Sequence, residues 1–517
     1  MRTTIITLTA VTLLTTVAFA LNEMTLVGQY VGEGYDNMFG AGTAMGDFDD
    51  DGYAEFIVGA SWWNDDTGKN YFYDWDGNWP TNYLWTVQGD SANYNYDYSD
   101  QNIGDINNDG VDDFGLNEFH AGLHYGRVDI YYGSADFDSI PDFNIIQDSG
   151  NGIGVSLDSC GDVNGDSDND IILMAFLEGN SNYTAQIYFG GDALDTIPDW
   201  SYTPSTWYSR CCGLGDVNGD GYNDVMVLGL EVPPLLFFGG SPMDTIPDLV
   251  FNDYSYVENA AIGDVNADGY NDFSVRVFPT IPPGGRPVYF GGADVDTIPE
   301  VFLQDEFGEF TYAPYFVTHG DVNGDGISDL ITGDVNWRGR ASYVYLGSPW
   351  FNPVPDAVIE GVASYYNWGE EISVGDVNGD GRDEILISSS NYWFEQGLVQ
   401  LFTGPEEWID YGAPVEPGEL PRTPGWYKLE QNFPNPFNAS TTIHFELGKL
   451  STVSITVFDL AGNKIRDIIK SKEMRPGGYN VSWSGKNQFN QLVSSGIYIL
   501  ELQVDQFKET RKMVLIR

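Results

Sequence analysis

One nonapeptide, D-x-[DN]-x-D-[GS]-x-x-[DE], recurs seven times, beginning at Asp47, Asp105, Asp162, Asp216, Asp264, Asp321 and Asp376. The intervals are 58, 57, 54, 48, 57 and 55 residues. A near-constant period of this size means stacked copies of one supersecondary unit, none able to bury its apolar face alone. A chain built this way has few folds open to it.

The spacing within the nonapeptide has a chemical reason. Side-chain oxygens at positions 1, 3 and 5 of a tight loop converge on one point, and glycine at position 6 permits the sharp turn. A backbone carbonyl at 7 and a carboxylate at 9 complete an oxygen cage suited to Ca²⁺, so up to seven Ca²⁺ sites are expected. The candidate ligands are Asp47, Asp49, Asp51 and Glu55 in the first loop, and Asp105, Asn107, Asp109 and Asp113 in the second. Asp162, Asn164, Asp166 and Asp170 follow in the third, and Asp216, Asn218, Asp220 and Asp224 in the fourth. The fifth offers Asp264, Asn266, Asp268 and Asp272, and the sixth Asp321, Asn323, Asp325 and Asp329. Asp376, Asn378, Asp380 and Glu384 complete the set. Metals that prefer sulfur or imidazole would want Cys or His, which these loops lack. Helical EF-hand loops place an acid at position 12, and here that position holds Val58, Leu116, Leu173, Val227, Val275, Thr332 and Ile387. EF-hand and dockerin readings therefore fail. Asp/Gly-rich turns without metal are the alternative, and it weighs most for the third loop, where Ser167 replaces glycine.

Strand, not helix, surrounds each loop. Apolar runs such as Phe56-Ile-Val-Gly, Asp170-Ile-Ile-Leu-Met and Glu384-Ile-Leu-Ile-Ser follow directly. About a dozen residues on come strands ending in aromatic-Gly, as at Tyr188-Phe-Gly-Gly and Phe237-Phe-Gly-Gly, then Pro-bearing turns such as Asp195-Thr-Ile-Pro-Asp199. Four short strands per unit, seven times, is the arithmetic of an all-β, seven-bladed β-propeller over residues 21–411. After Asp376 three strands remain before the chain turns Pro-rich at residue 405, and Met24–Tyr30 is one spare strand before Asp47. Pairing the spare into the last blade would remove both free edges.

Charge divides the chain. Residues 418–517 hold 13 Lys+Arg against 9 Asp+Glu, whereas the first 417 hold 9 against 68. Two domains with different tasks are implied. With 42% hydrophobic and 15% aromatic residues the chain is folded rather than an acidic disordered polymer. Such acidity excludes nucleic acid and disfavours an anionic membrane. The nonapeptides hold 26 of those 68 acids; the rest read as a solvated surface.

Residues 1–20 carry Met1-Arg2, an apolar run and Ala18-Phe19-Ala20, the pattern of a cleaved secretory signal, and no transmembrane segment is expected elsewhere. Three cysteines are too few for a disulfide framework. Cys160 occupies a slot that is apolar in other units and reads as a buried small hydrophobe, with a bridge to Cys211 or Cys212 left open. His319, in the same slot, reads as a packed histidine.

Residues 412–424 form a Pro-rich linker, and beyond it alternating strands suggest a small Ig-like β-sandwich of about seven strands over 425–517. The run Gly-Asp-Val-Asn-Gly-Asp-Gly-x-x-Asp followed by an apolar strand resembles the FG-GAP repeat of integrin α-subunit propellers and bacterial surface proteins. It implies a seven-bladed propeller with Ca²⁺ in the loops named above. The strings Asn432-Phe-Pro-Asn-Pro-Phe, Val457-Phe-Asp-Leu-Ala-Gly462, Ser495-Gly-Ile-Tyr498 and Lys512–Arg517 resemble the C-terminal sorting domain of the type IX secretion system. That resemblance implies a partner, the type IX machinery, and a secreted or outer-surface location in a Gram-negative bacterium.

Two functions compete. One is a non-catalytic binding or adhesion module for a protein or glycan, the other a secreted polysaccharide-degrading enzyme. The segments expected opposite the Ca²⁺ loops carry Trp62-Trp63, Phe119-His120, Tyr183, Pro233-Pro234, Pro282-Pro283, Trp337 and Tyr392-Trp393. Such a rim suits sugar stacking or protein contact, although capping of blade ends would need the same residues. His120, His124 and Lys69 show no catalytic partner in the sequence, so binding is favoured and no catalytic residue is assigned.

Overall fold

A computed structural model describes residues 22–408 and 427–516, apart from 34–36, 62–63, 65–66, 90–94, 97–100, 121–124, 136, 147–151, 177–182, 192–193, 205–207, 209, 230–231, 252–260, 276–285, 304–315, 334–340, 350, 362–367, 370, 391–396, 406–407, 430–431, 433–434, 436, 439–440, 448–450, 460–462, 475–476, 490 and 505–506. The signal, the linker and Trp62, Trp63, Pro282, Pro283, Trp337, Tyr392 and Trp393 lie outside the described residues.

The described chain is all-β and its first part is propeller-like. Each nonapeptide joins the first and second strands of a small antiparallel sheet. In the first unit these are Phe39–Gly46 and Glu55–Ala60, followed by Lys69–Tyr73 and Trp85–Gln88. The third (Gly152–Gly161, Asp170–Phe176, Tyr183–Tyr188, Trp200–Tyr202) and the fourth repeat this order. The fifth unit is two short ladders joined by a bridge between Phe273 and Tyr289. Second strands such as Asp170–Phe176 and Glu384–Ser389 are buried on both faces, which explains why they read as continuous apolar runs rather than alternating ones.

The reason is that each sheet packs between two others. Ile57, Phe72, Phe114 and Leu116 form a cluster shared by units one and two; Ile172, Met174, Val225 and Phe237 form one shared by three and four. The series returns on itself, since Phe56 and Val58 of unit one pack with Leu386 and Val399 of unit seven. Each fully buried aliphatic or Phe side chain contributes about 1.5–3 kcal/mol. First strands line the axis, enclosing a channel of about 540 Å³ to which Thr43, Asn102, Asp158, Ala261, Thr318 and Ser373 contribute.

The seam is made from both ends of this region. Thr25–Val31 pairs antiparallel with Leu398–Thr403, completing the sheet of Ile372–Gly375 and Glu384–Ser389. Two strands therefore follow the last loop, not three; the third chain-C-terminal member precedes it. Asn22 additionally bridges to Ala357 of unit six.

The loops are laced to one another. The position-8 amide of one loop donates to the position-1 carbonyl of the loop before it: Asn223 to Asp162 (2.9 Å), Asn271 to Asp216 (3.0 Å), Asp383 to Asp321 (2.9 Å) and, across the seam, Ala54 to Asp376 (2.8 Å).

In the C-terminal region a three-stranded sheet (Tyr427–Leu429, Thr441–Leu447, Gly477–Trp483) and a five-stranded sheet share one core. Ile443, Phe445 and Leu447 of the first meet Val453, Ile455, Leu500 and Leu502 of the second. Eight strands are described rather than about seven. Among them is Lys464–Met474, whose bulged pairing with Ser451–Asp459 breaks strict alternation. Among the described residues no helix is long and apolar enough to cross a membrane.

Candidate metal centres

The seven loops share one hydrogen-bonded frame. The position-1 carboxylate accepts the position-6 amide throughout, as from Gly52 to Asp47 (3.0 Å), Gly110 to Asp105 (2.8 Å), Gly326 to Asp321 (2.7 Å) and Gly381 to Asp376 (2.7 Å). The position-3 oxygen accepts the position-5 amide in six loops, from Asp49 (3.1 Å) to Asn323 (2.8 Å). The position-5 carboxylate accepts the position-7 amide, as from Tyr53 to Asp51 (3.0 Å). Position 6 has a positive φ in every loop, 88° at Gly52 and 92° at Gly269, and Ser167 adopts 78° in the third. The frame thus persists there at the expense of a left-handed serine. An ionised carboxylate can accept about four contacts, so these bonds leave room for a cation.

Position 9 behaves differently from a free ligand. In five loops both of its oxygens are held by amides. Asp224 is typical: Oδ2 accepts the Val217 amide (2.9 Å) and Oδ1 the Gly239 amide (2.9 Å). Asp113, Asp170, Asp272 and Asp329 repeat the pair, with Gly133, Gly190, Gly291 and Gly347 as second donors. These glycines are the Gly of the aromatic-x-Gly strings. A Cβ at Gly239 would run into the Asn223 carbonyl oxygen, so only glycine brings its amide close enough. Burial pushes Asp113, Asp170 and Asp224 up to about 7, and Asp272 and Asp329 up to about 8.

Units one and seven depart from this. Glu384 Oε2 accepts the Val377 amide (3.0 Å), and Oε1 accepts from Asn378 Nδ2 (2.9 Å); Thr403 donates to the same carboxylate. Arg382, at position 7 of that loop, places Nη2 2.5 Å from Asp380 Oδ2, a built-in cation on a candidate ligand. In unit one Glu55 Oε2 accepts the Phe48 amide (2.7 Å), but the buried Oε1 has no hydrogen-bond partner. Oxygens of Asp47, Asp49 and Glu55 lie within 4.8 Å of one another, and so do those of Asp49, Asp51 and Asp74. Burial, reinforced by neighbouring carboxylates, pushes Asp49 up to about 6 and Glu55 up to about 9. An all-oxygen, carboxylate-rich cage with an orphaned buried oxygen fits a hard divalent cation.

Among the described residues three carboxylates converge only in the first loop. Elsewhere Asn at position 3 leaves fewer acids, and position 9 is turned to two backbone amides in five loops and to Val377, Asn378 and Thr403 in the seventh. Asp74 was not foreseen; the signal for it is that Asp74-Trp75 interrupts the aromatic-x-Gly pattern. Cys160, Cys211 and Cys212 are all free and buried, so no bridge forms, and Cys160 packs in an apolar cluster. His319 lines the channel with its pKa lowered by burial. Tyr183 packs edge-on against Phe176, with ring centroids 5.7 Å apart. The side chains of Phe119 and His120, and the whole of His124, lie outside the described residues.

Residues 321–387, spanning the sixth and seventh loops, match the family described as FG-GAP-like repeat. Residues 431–516 match the family described as secretion system C-terminal sorting domain. Among curated proteins, integrin alpha-5 of Xenopus laevis is 30% identical over 112 residues, 19% of this chain and 11% of that protein. Integrin alpha-IIb of Mus musculus is 30% identical over 104 residues, 18% and 10% respectively. The match thus spans about a tenth of each integrin's length. The solved structure of BBS1N in complex with ARL6DN, soaked with mercury, is similar at a TM-score of 0.44 and 10% identity, covering 75% of this chain and 99% of that one. The chain thus contains an FG-GAP-like repeat segment and a secretion-system C-terminal sorting domain, and the latter indicates a secreted or outer-surface bacterial protein.

Proposed function

We propose that residues 21–411 form a seven-bladed, Ca²⁺-binding propeller that the sorting domain, an Ig-like sandwich, directs through type IX secretion to the outside of a Gram-negative cell. There the propeller acts as a non-catalytic binding module for a protein or glycan. The observation that carries the metal reading is Glu55 Oε1, buried beside Asp47 and Asp49 without a donor. A divalent cation there would supply positive charge and cross-link the loop to its own second strand. Asp47, Asp49, Asp51 and Glu55 would hold it, with the matching positions 1, 3 and 5 carrying the weaker, Asn-containing loops. Because amide–carbonyl bonds join neighbouring loops at four places, neutralising one of these loops would stiffen the ring beyond its own blade.

The ligand face is the one opposite these loops, where second and third strands join. An acidic first region favours neutral or cationic partners. Function rests on the residues there and not on the scaffold.

Calorimetry with Ca²⁺ should report several sites together with a raised melting temperature. EGTA leaving stability unchanged would sink the metal reading. A glycan array, run with the triple variant Trp62→Ala, Trp63→Ala and Trp393→Ala, tests sugar binding at the opposite face. Release of reducing ends from polysaccharides by the purified protein would overturn the non-catalytic assignment.

A further inference from the structure

Unit one differs from the others in two linked ways, and the difference concerns the third strand rather than the nonapeptide. Strand register aligns the units: Phe56 pairs with Tyr73 as Val225 pairs with Phe237 and Ile385 with Phe402. Trp75 therefore stands where Gly239 and its counterparts donate an amide to the position-9 carboxylate. Asp74 stands where Thr403 donates a hydroxyl to Glu384 in unit seven. Unit one has neither donor, and its position-9 residue is the longer Glu55, 1% exposed, with Oε1 unpartnered. Asp74 Oδ1 is likewise buried and unpartnered. Trp75 stacks on Tyr53, the position-7 residue, with ring centroids 6.3 Å apart, which holds the Asp74 turn against the loop.

Granting that these loops take divalent cations, on which this inference rests, we propose that the first loop is a two-cation centre. Asp49 bridges, Asp47 and Glu55 complete one site, and Asp51 and Asp74 complete the other. The two carboxylate triads share Asp49 alone. Charge points the same way. Five converging carboxylates carry −5, which one dication reduces only to −3 and two reduce to −1; like charges this close in a partly buried site repel strongly. A shared carboxylate places paired cations about 3.5–4 Å apart, within the span of the oxygens present.

Loading the chelator-treated full chain with Mn²⁺ and recording its electron paramagnetic resonance tests this directly, since Mn²⁺ favours the same oxygen ligands. The expected result is a spin-coupled pair superimposed on isolated ions. In Asp74→Asn the coupled signal disappears and bound Mn²⁺ falls by one per chain, whereas in Asp321→Asn the coupled signal stays and isolated signal is lost. Asp51→Asn, at an exposed position, serves as a second variant should Asp74→Asn fold poorly. Isolated Mn²⁺ signals without a coupled pair, or a pair that survives both Asp74→Asn and Asp51→Asn, would overturn the two-cation centre alone. No bound Mn²⁺ at any loop would overturn it together with the metal reading beneath it.

Discussion

Replacing Asp224 separates two roles that position 9 could have, ligand and clamp. Its carboxylate is fully buried and accepts two amides, from Val217 and Gly239, each at 2.9 Å. Asp224→Ala strands both donors, and a buried unpaired N–H costs about 1–3 kcal/mol, giving a loss of about 2–6 kcal/mol. The desolvation that pushes this carboxyl up to about 7 is relieved on removal, so the lower half of that range is expected. Asp224→Asn keeps one acceptor and opposes its NH₂ to the other amide, and should lose about half as much. The assay is thermal unfolding in excess EGTA, where metal ligation contributes nothing. A fall of several degrees for Asp224→Ala, and a smaller one for Asp224→Asn, is expected without any Ca²⁺. If both variants melt with the parent in EGTA and differ only when Ca²⁺ is added, the clamp argument is wrong and Asp224 is a ligand first.

Acidity follows from the same groups. Asp113, Asp170, Asp224, Asp272 and Asp329 have folded values of about 7–8 against the ordinary value near 4. The folded chain in EGTA then holds more protons than the unfolded chain across that window, so its stability should fall as pH rises from about 4 to about 8. A metal-free melting temperature that climbs from pH 5 to pH 8 would contradict this, and stabilisation by Ca²⁺ should be larger at pH 8. Arg382→Gln frees Asp380 from its 2.5 Å ion pair and should tighten the seventh loop several-fold, read by Tb³⁺ luminescence titration; unchanged affinity would mean the guanidinium swings aside freely. Ser167→Gly relieves a left-handed residue at φ 78° and should gain up to about 1 kcal/mol in urea unfolding. Deleting residues 22–31 exposes the edge of Leu398–Thr403 and should produce concentration-dependent association in light scattering.

What the sequence disclosed and what it withheld divide by distance along the chain. The ligand spacing lies within nine residues, so the loops and their chemistry could be read directly. The seam could be found by counting strands, although Ile372–Gly375 had to be placed before the last loop. The far half of the clamp was not legible, because Gly239 meets Asp224 only after the second and third strands have paired, whereas Val217 lies within the motif itself. Asp74 was hidden for the same reason: it reaches the first loop from the end of the third strand, and only the strand register reveals that it occupies the place of Thr403. The fate of position 9 in particular depended on a second partner outside the motif, the glycine at the end of the third strand. Lys464–Met474 escaped notice because its bulges erase the two-residue alternation that strands are recognised by.

The seam has a bearing on when this region can acquire its shape. Thr25–Val31 finds its hydrogen-bonding partner only once Leu398–Thr403 has been made, and the buried face of Tyr30 waits on Val399 and Leu401 in the same cluster. A contact between segments so far apart forms late, because the entropy of joining them is unrewarded until the sheets between are in place. A nascent chain therefore stays open for most of its synthesis, which is the state in which a polypeptide can still be threaded through a membrane. Closure acts as a timer set by length: the ring shuts after the last strand has emerged, and from then on neither end can be pulled out without breaking a sheet.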